Sequence, residues 1–149
     1  MTSTSSRRFR RALVSSAVFC TVIALASCTK GSLPGDLTVG EVTTGRTLGP
    51  DGKILEDART SMFWTTDTFY VEVPTEGSAD NVALTARWTG PDGGVAAESS
   101  KKISPKGATV TSFEAAPPKD KESRWPAGDY KLEILVNGSS QVTRELNTR

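Results

Sequence analysis

From Leu37 onward, the apolar residues of this chain recur mainly at every second position. Val82, Leu84, Ala86 and Trp88 alternate with Ala83, Thr85 and Arg87. Tyr130, Leu132, Ile134 and Val136 alternate with Lys131, Glu133 and Leu135, and Phe69, Val71 and Val73 alternate with Tyr70 and Glu72. A period of two over several residues of β-branched and aromatic type predicts strands with one face buried. Vaguer runs predict further strands at 38–44, 53–55, 96–103, 108–115 and 141–147. Turn residues fall between the runs: "GPDGK" at 49–53, "GPDGG" at 90–94 and "VNGS" at 136–139. Asn137-Gly138 is the sharpest of these signals, because both central residues of a two-residue hairpin must accept positive φ. No segment of this region has the pattern of a helix of ten or more residues.

Seven or eight short strands within residues 37–149 predict an all-β fold, a two-sheet sandwich of immunoglobulin-like type. A small barrel competes only if the sheet closes. Trp88 falls on the inward phase of its strand and is expected in the core, in the place of the central tryptophan of such sandwiches but without a disulfide beside it. The segment "WPAGDYKLEI" at 125–134 resembles the lead-in to a late strand in many bacterial extracytoplasmic β-sandwiches. That resemblance implies a tight turn at Gly128, a loop capped by Pro126, and an inward Tyr130 whose hydroxyl meets a backbone carbonyl. Together with Phe63, "TTDTFYVEV" at 65–73, "NVALTARWTGPDG" at 81–93, "ISPKG" at 103–107 and Phe113, it makes residues 37–149 similar to a class of small bacterial lipoproteins and envelope proteins. These carry one immunoglobulin-like domain, and the class brings no catalytic motif to these positions.

The N-terminus has a different pattern. Arg7, Arg8, Arg10 and Arg11 precede an uncharged, mostly apolar run at 12–26. The run is short of the roughly 20 residues of a spanning helix and fits the apolar region of a signal peptide. It ends in Leu25-Ala26-Ser27-Cys28, which resembles the bacterial lipobox. The resemblance implies that a signal peptidase recognises Leu25, Ala26 and Ser27 and cuts before Cys28, whose thiol is diacylglycerated. An ordinary signal peptide or a short membrane anchor is the alternative. Each buried methylene contributes about 0.8 kcal/mol, so a cysteine with two or three acyl chains anchors a domain without a spanning helix. Arg10-Arg11-Ala12-Leu13-Val14 also resembles a twin-arginine export signal; four scattered arginines produce that pattern easily, and the general secretory route is preferred. The resulting division is a signal peptide at 1–27, a lipidated tether at 28–36 and the sandwich at 37–149. The expected location is a bacterial membrane surface in the cell envelope, inner or outer left open; Thr29 permits outer-membrane delivery in an enteric-type system.

Charge and chemistry then narrow the function. The whole chain has 18 basic and 17 acidic residues, a net of +1. Residues 1–27 contain four arginines and no acid, so the remainder has 14 basic against 17 acidic residues, a net of about −3. A mildly acidic domain argues against nucleic acid as a partner. There is no histidine, and of the two cysteines Cys20 lies in the segment to be removed. A Ser-His-Asp triad, an internal disulfide and the usual zinc or iron–sulfur ligand sets are therefore excluded.

Ser99-Ser100-Lys101-Lys102 and Ser104-Pro105-Lys106 are polar and turn-prone, and are expected on the solvated surface. The acids Asp51, Glu56, Asp57, Asp120 and Glu122 cluster at turns, with neither the cleft of a glycosidase nor the spacing of a calcium loop. "GPDGG" lacks the lysine and helix of a phosphate loop. No catalytic residue, metal or cofactor is expected. Trp64 and Trp125 lie near loops and are the candidate binding aromatics, for stacking on sugar or anchoring a protein, with a buried corner the favoured reading of each. The charges Arg144, Glu145 and Arg149 along 141–149 discourage strand addition there. The expected function is a non-enzymatic envelope lipoprotein, held to the membrane through lipid on Cys28, that makes protein contacts or serves as an accessory subunit. An envelope polysaccharide-binding module is the runner-up, and a hydrolytic enzyme comes third.

Overall fold

A computed structural model describes residues 33–120 and 122–149. Cys28 and the lipobox residues Leu25, Ala26 and Ser27 lie outside the described residues. Within them the alternating runs form β-strands: β1 (Thr38–Val39), β2 (Thr43–Gly45), β3 (Met62–Phe63), β4 (Phe69–Glu76), β5 (Val82–Thr89), β6 (Val95–Ile103), β7 (Thr109–Ala115), β8 (Gly128–Val136) and β9 (Ser139–Thr148). The one helical element among the described residues is a 3₁₀ turn at Glu56–Ala58.

The strands make two sheets. In the first, β4 is central, β7 runs antiparallel along one side of it, and β1 and β2 share the other side. The second has the order β3-β9-β8-β5-β6, antiparallel throughout except that β3 runs parallel to β9. Burial follows the predicted phase. Val82, Leu84, Ala86 and Trp88 of β5, Phe69, Val71 and Val73 of β4, and Leu132 and Ile134 of β8 have no solvent exposure. Their removal from water is the dominant favourable contribution to such a fold, about 25 cal/mol per Å² of apolar surface.

Tyr130 fixes the corner where the chain enters β8. Its hydroxyl donates to the Pro126 carbonyl at 2.9 Å, and Thr148 Oγ1 donates to the same oxygen at 2.7 Å. Gly128, between them, has φ +138°, and a Cβ there would sit 2.9 Å from the Pro91 ring, so only glycine fits. A tyrosine at the start of this strand bonded back to a carbonyl a few residues upstream is the tyrosine corner of immunoglobulin-like sandwiches. Leu132, two residues on, pairs in register with Trp88 and holds the position of the second disulfide cysteine in antibody domains. Topology, corner and inward tryptophan define a two-sheet immunoglobulin-like β-sandwich.

Several expected elements differ, each for a physical reason. The strand expected at 38–44 is split into β1 and β2. Pro74 lies opposite the gap: its carbonyl accepts the Gly40 N–H at 2.8 Å, but it has no N–H to return, and the ladder breaks. Residues 53–55 form no strand. Ile54 makes an isolated bridge to Leu48, and its N–H goes to Glu72 Oε1 at 2.7 Å. The two-residue β3 is too short to show an alternation. Leu135 keeps the outer phase expected of it, opposite Thr85 and between the core pairs Ile134–Ala86 and Val136–Leu84, yet it is buried on that outer face, apart from the core cluster. Residues before 37 already engage the fold: Leu33 rests on the core, and Asp36 Oδ1 accepts the Ser78 N–H at 2.7 Å.

Burial, and secondarily the nearby Asp92 charge, push the Tyr130 phenol from 10.0 up to about 12. The folded chain therefore holds this proton more tightly than the unfolded chain. The associated stability is complete below pH 10 and is lost as pH rises from 10 towards 12. Urea unfolding across that range should show the decline, and Tyr130→Phe should abolish it while lowering stability at neutral pH by about 1 kcal/mol for the lost hydrogen bond. An identical alkaline decline in the variant would refute the assignment.

Candidate interaction surface

One flank of the sandwich is sewn shut by the chain that passes from the first sheet to the second. Arg46 N–H donates to the Ala58 carbonyl at 3.1 Å, Thr60 N–H to Thr44 at 3.0 Å, and Asn147 N–H to Ser61 at 2.8 Å. The segment then becomes β3, and side chains alternate across it. Met62 faces out, Phe63 is fully buried and Trp64 faces out again, half exposed. The anchoring of Phe63 in the core thus determines that Trp64 is presented to solvent.

The Trp64 loop is held from several directions. Trp64 N–H donates to Asp67 Oδ2 at 2.8 Å, and Asp67 N–H returns to the Trp64 carbonyl at 3.0 Å, closing a tight turn. The Arg46 guanidinium donates to the Met62 carbonyl, and its Nε lies 3.1 Å from Asp67 Oδ2, an ion pair by distance though not aligned as a hydrogen bond. The carbon of that guanidinium stands 5.8 Å from the Trp64 ring centre, and that of Arg149 stands 5.2 Å away. Guanidinium groups over an indole are attracted by the ring quadrupole, at about 0.5–1 kcal/mol each in an exposed setting. The backbone closes the arrangement, with Arg149 N–H on the Phe63 carbonyl at 3.0 Å and Thr65 N–H on the Arg149 carbonyl at 3.3 Å.

Trp125 lies in a buried corner. It is 3% exposed and stacks on Phe69 with ring centres 4.6 Å apart and planes at 8°. Its indole N–H donates to the Asp67 carbonyl at 2.8 Å, and its backbone N–H to the Thr65 carbonyl at 2.7 Å. The two tryptophans singled out from the sequence therefore meet at one loop in opposite roles: Trp125 supports it from the core, and Trp64 is displayed by it. The partners Arg46 and Arg149 carry no local sequence signal, since they lie in distant segments that only the strand pairing brings together.

The other candidate residues are engaged structurally or spread over the surface. Ser100 Oγ accepts from Thr85 Oγ1 at 2.9 Å, and Ser104 Oγ accepts the Asn81 N–H at 3.1 Å. Lys101 Nζ donates to the Ser112 carbonyl at 2.7 Å and lies over the Phe113 ring. No Ser-Lys pair is assembled among them. A recess of about 230 Å³ beneath the 90–94 turn is lined by Pro91, Asp92, Pro118, Asp120 and Tyr130. Two shallower clefts, about 510 and 670 Å³, lie along Thr38, Lys53 and Val110 and along Glu41, Arg59 and Arg144. Among the described residues, no group of three or more His, Cys, Asp or Glu is placed to hold a metal ion, and no helix is long and apolar enough to cross a membrane.

No protein family and no characterised protein sequence matches the chain. Among solved structures it is similar to the alkylpurine DNA glycosylase AlkC of Pseudomonas fluorescens, bound to DNA containing an abasic-site analogue. That likeness has 12% identity and a TM-score of 0.51, and covers 80% of this chain but only 32% of the glycosylase chain. An immunoglobulin-like protein from Pseudomonas aeruginosa is similar at 13% identity over 79% of this chain and all of its own, TM-score 0.49. A β-glucosidase from Listeria innocua is similar at 8% identity over 76% of this chain and 16% of its own, TM-score 0.44. At these identities the likeness concerns the fold alone.

With Trp88 and Trp125 buried, Trp64 is the one tryptophan open to solvent. Acrylamide should quench mainly its emission, and Trp64→Phe should remove the quenchable fraction while changing stability by less than about 1 kcal/mol. Equal quenching in the variant would contradict the exposed placement.

Proposed function

We propose that the chain is an exported, lipid-anchored protein of a bacterial envelope whose immunoglobulin-like domain makes a non-enzymatic protein contact. The observation that carries the contact is Trp64, half exposed on a loop braced by Asp67, Arg46, Arg149 and the buried Trp125. Tryptophan and arginine are the residue types over-represented at the energetic centres of protein interfaces. A preformed loop adds to this, because little side-chain and backbone entropy remains to be lost on binding. The anchor rests on the lipobox resemblance at 25–28, with Cys28 carrying the lipid. A flat sugar ring stacked on Trp64 is the weaker reading, since two guanidinium groups already stand over the indole.

Two measurements test this. Cys28→Ala should abolish incorporation of labelled palmitate or glycerol and release the domain from the membrane fraction; unchanged labelling would remove the lipid-anchor reading. Crosslinking in intact cells followed by mass spectrometry should recover a defined protein neighbour that is lost in Trp64→Ala. Binding of the purified chain to cell-wall glycan with no protein neighbour recovered would favour the polysaccharide module instead.

A further inference from the structure

We propose that the outer face of the first sheet is a self-association surface, on which a second copy of this chain docks about a two-fold axis with Lys53 of each copy against Glu76 of the other. This contact is separate from the one proposed at Trp64 and rests on the described residues alone.

The surface follows from Pro74. On β4 the side chains of Tyr70, Glu72, Pro74 and Glu76 point away from the core, since Phe69, Val71, Val73 and Thr75 are buried. Gly40 stands opposite Pro74 in the gap between β1 and β2, and a Cβ on Gly40 would lie 3.1 Å from the proline ring. On its other side Pro74 pairs with Val110 of β7, which is 54% exposed. The result is the cleft of about 510 Å³, with Gly40, Pro74, Ala108 and Val110 as its apolar part and Lys53 and Glu76 as its charged residues.

The two charges sit at opposite ends of this cleft. Glu76 ends β4, beside Thr38. Lys53 belongs to a loop that is closed by the Leu48–Ile54 bridge and laid over the sheet at Glu72, whose Oε1 accepts the Ile54 N–H at 2.7 Å. Four residues of β4, about 13 Å, separate the level of Glu72 from that of Glu76, with Pro74 midway. The Glu72 carboxylate is engaged by that backbone N–H, whereas among the described residues neither Lys53 nor Glu76 makes an ion pair, and both are exposed.

This spacing selects a second copy as the occupant. A two-fold axis in the plane of contact, crossing β4 at Pro74, reverses the strand direction of the second copy and lays Glu76 of each copy over Lys53 of the other. Pro74 and Val110 then meet their own equivalents at the centre, as facing sheets do in a sandwich. One surface thus closes two ion pairs around an apolar middle. An axis along β4 would instead keep Lys53 level with Lys53 and Glu76 level with Glu76, and like charges facing each other disfavour that packing.

The test uses the full chain in intact bacterial cells that express two copies with different tags. Val110→benzoylphenylalanine and, separately, Ala108→benzoylphenylalanine place a photo-crosslinker in the cleft. Irradiation should give a product that carries both tags, joined within 38–40, 74 or 108–110 of the second copy by mass spectrometry. Glu76→Lys or Lys53→Glu alone should lower its yield at least about fivefold, and the two reversals combined should restore it. Lys102→Glu, an equal change of charge on the second sheet, should leave the yield unchanged. No doubly tagged product at either position, a product with an unrelated protein alone, equal loss in Lys102→Glu, or a double reversal no better than the single ones would each overturn the proposal.

Discussion

The stack of Trp125 on Phe69 is the contact on which the upper end of this domain depends. Phe69 begins β4 of the first sheet, and Trp125 precedes β8 of the second, so their ring contact joins the two sheets where the loops leave them. Phe63 and Tyr130 meet Phe69 edge-on, at 4.7 and 5.7 Å between ring centres, and complete an aromatic cluster with no exposed member. Such pairs contribute about 0.5–1.5 kcal/mol beyond their buried area. Their placement matters more than their sum, because each ring also secures a piece of backbone. Trp125 takes the Asp67 carbonyl, Tyr130 takes the Pro126 carbonyl, and Phe63 sets the phase of β3.

From this cluster the exposed surface follows by elementary geometry. Side chains on a strand alternate, so burying Phe63 turns out Met62 and Trp64. The hydrogen bonds from Trp125 then fix the loop behind Trp64, and the parallel pairing of β3 with β9 brings Arg149 alongside. The same passage of chain closes one flank of the sandwich, and at the opposite flank Lys101 covers the gap between the sheets. An immunoglobulin-like sandwich has edges that invite strand addition. Here one flank is sewn and the other carries charge, and the loop end displays Met62 and Trp64.

Much of the fold was legible in the chain because the strand period is a local property. The runs at 69–73, 82–88 and 130–136 each state their own buried face, and Asn137-Gly138 states its own turn; both residues do adopt positive φ. Errors arose where a distant partner decided the outcome. Pro74 split the first strand from across the ladder, the outer face beside Thr85 turned out to bury Leu135, and β3 exists only through its pairing with the end of β9. The candidate surface was legible in half: Trp64 and Trp125 could be singled out, but nothing within a few residues of either tells a displayed indole from a buried one.

The sequence by itself determined an all-β sandwich with Trp88 and Tyr130 in its core, and by its lack of histidine ruled out the chemistries that need one. These are consequences of residue type and short-range spacing. The tertiary structure alone decided that Trp125 goes inside and Trp64 outside, and that Arg46 and Arg149 share one indole. The physical reason is that these outcomes depend on strand register. Register is a balance of contacts between segments far apart in the chain, and a one-residue slip would exchange the buried and exposed faces of β3.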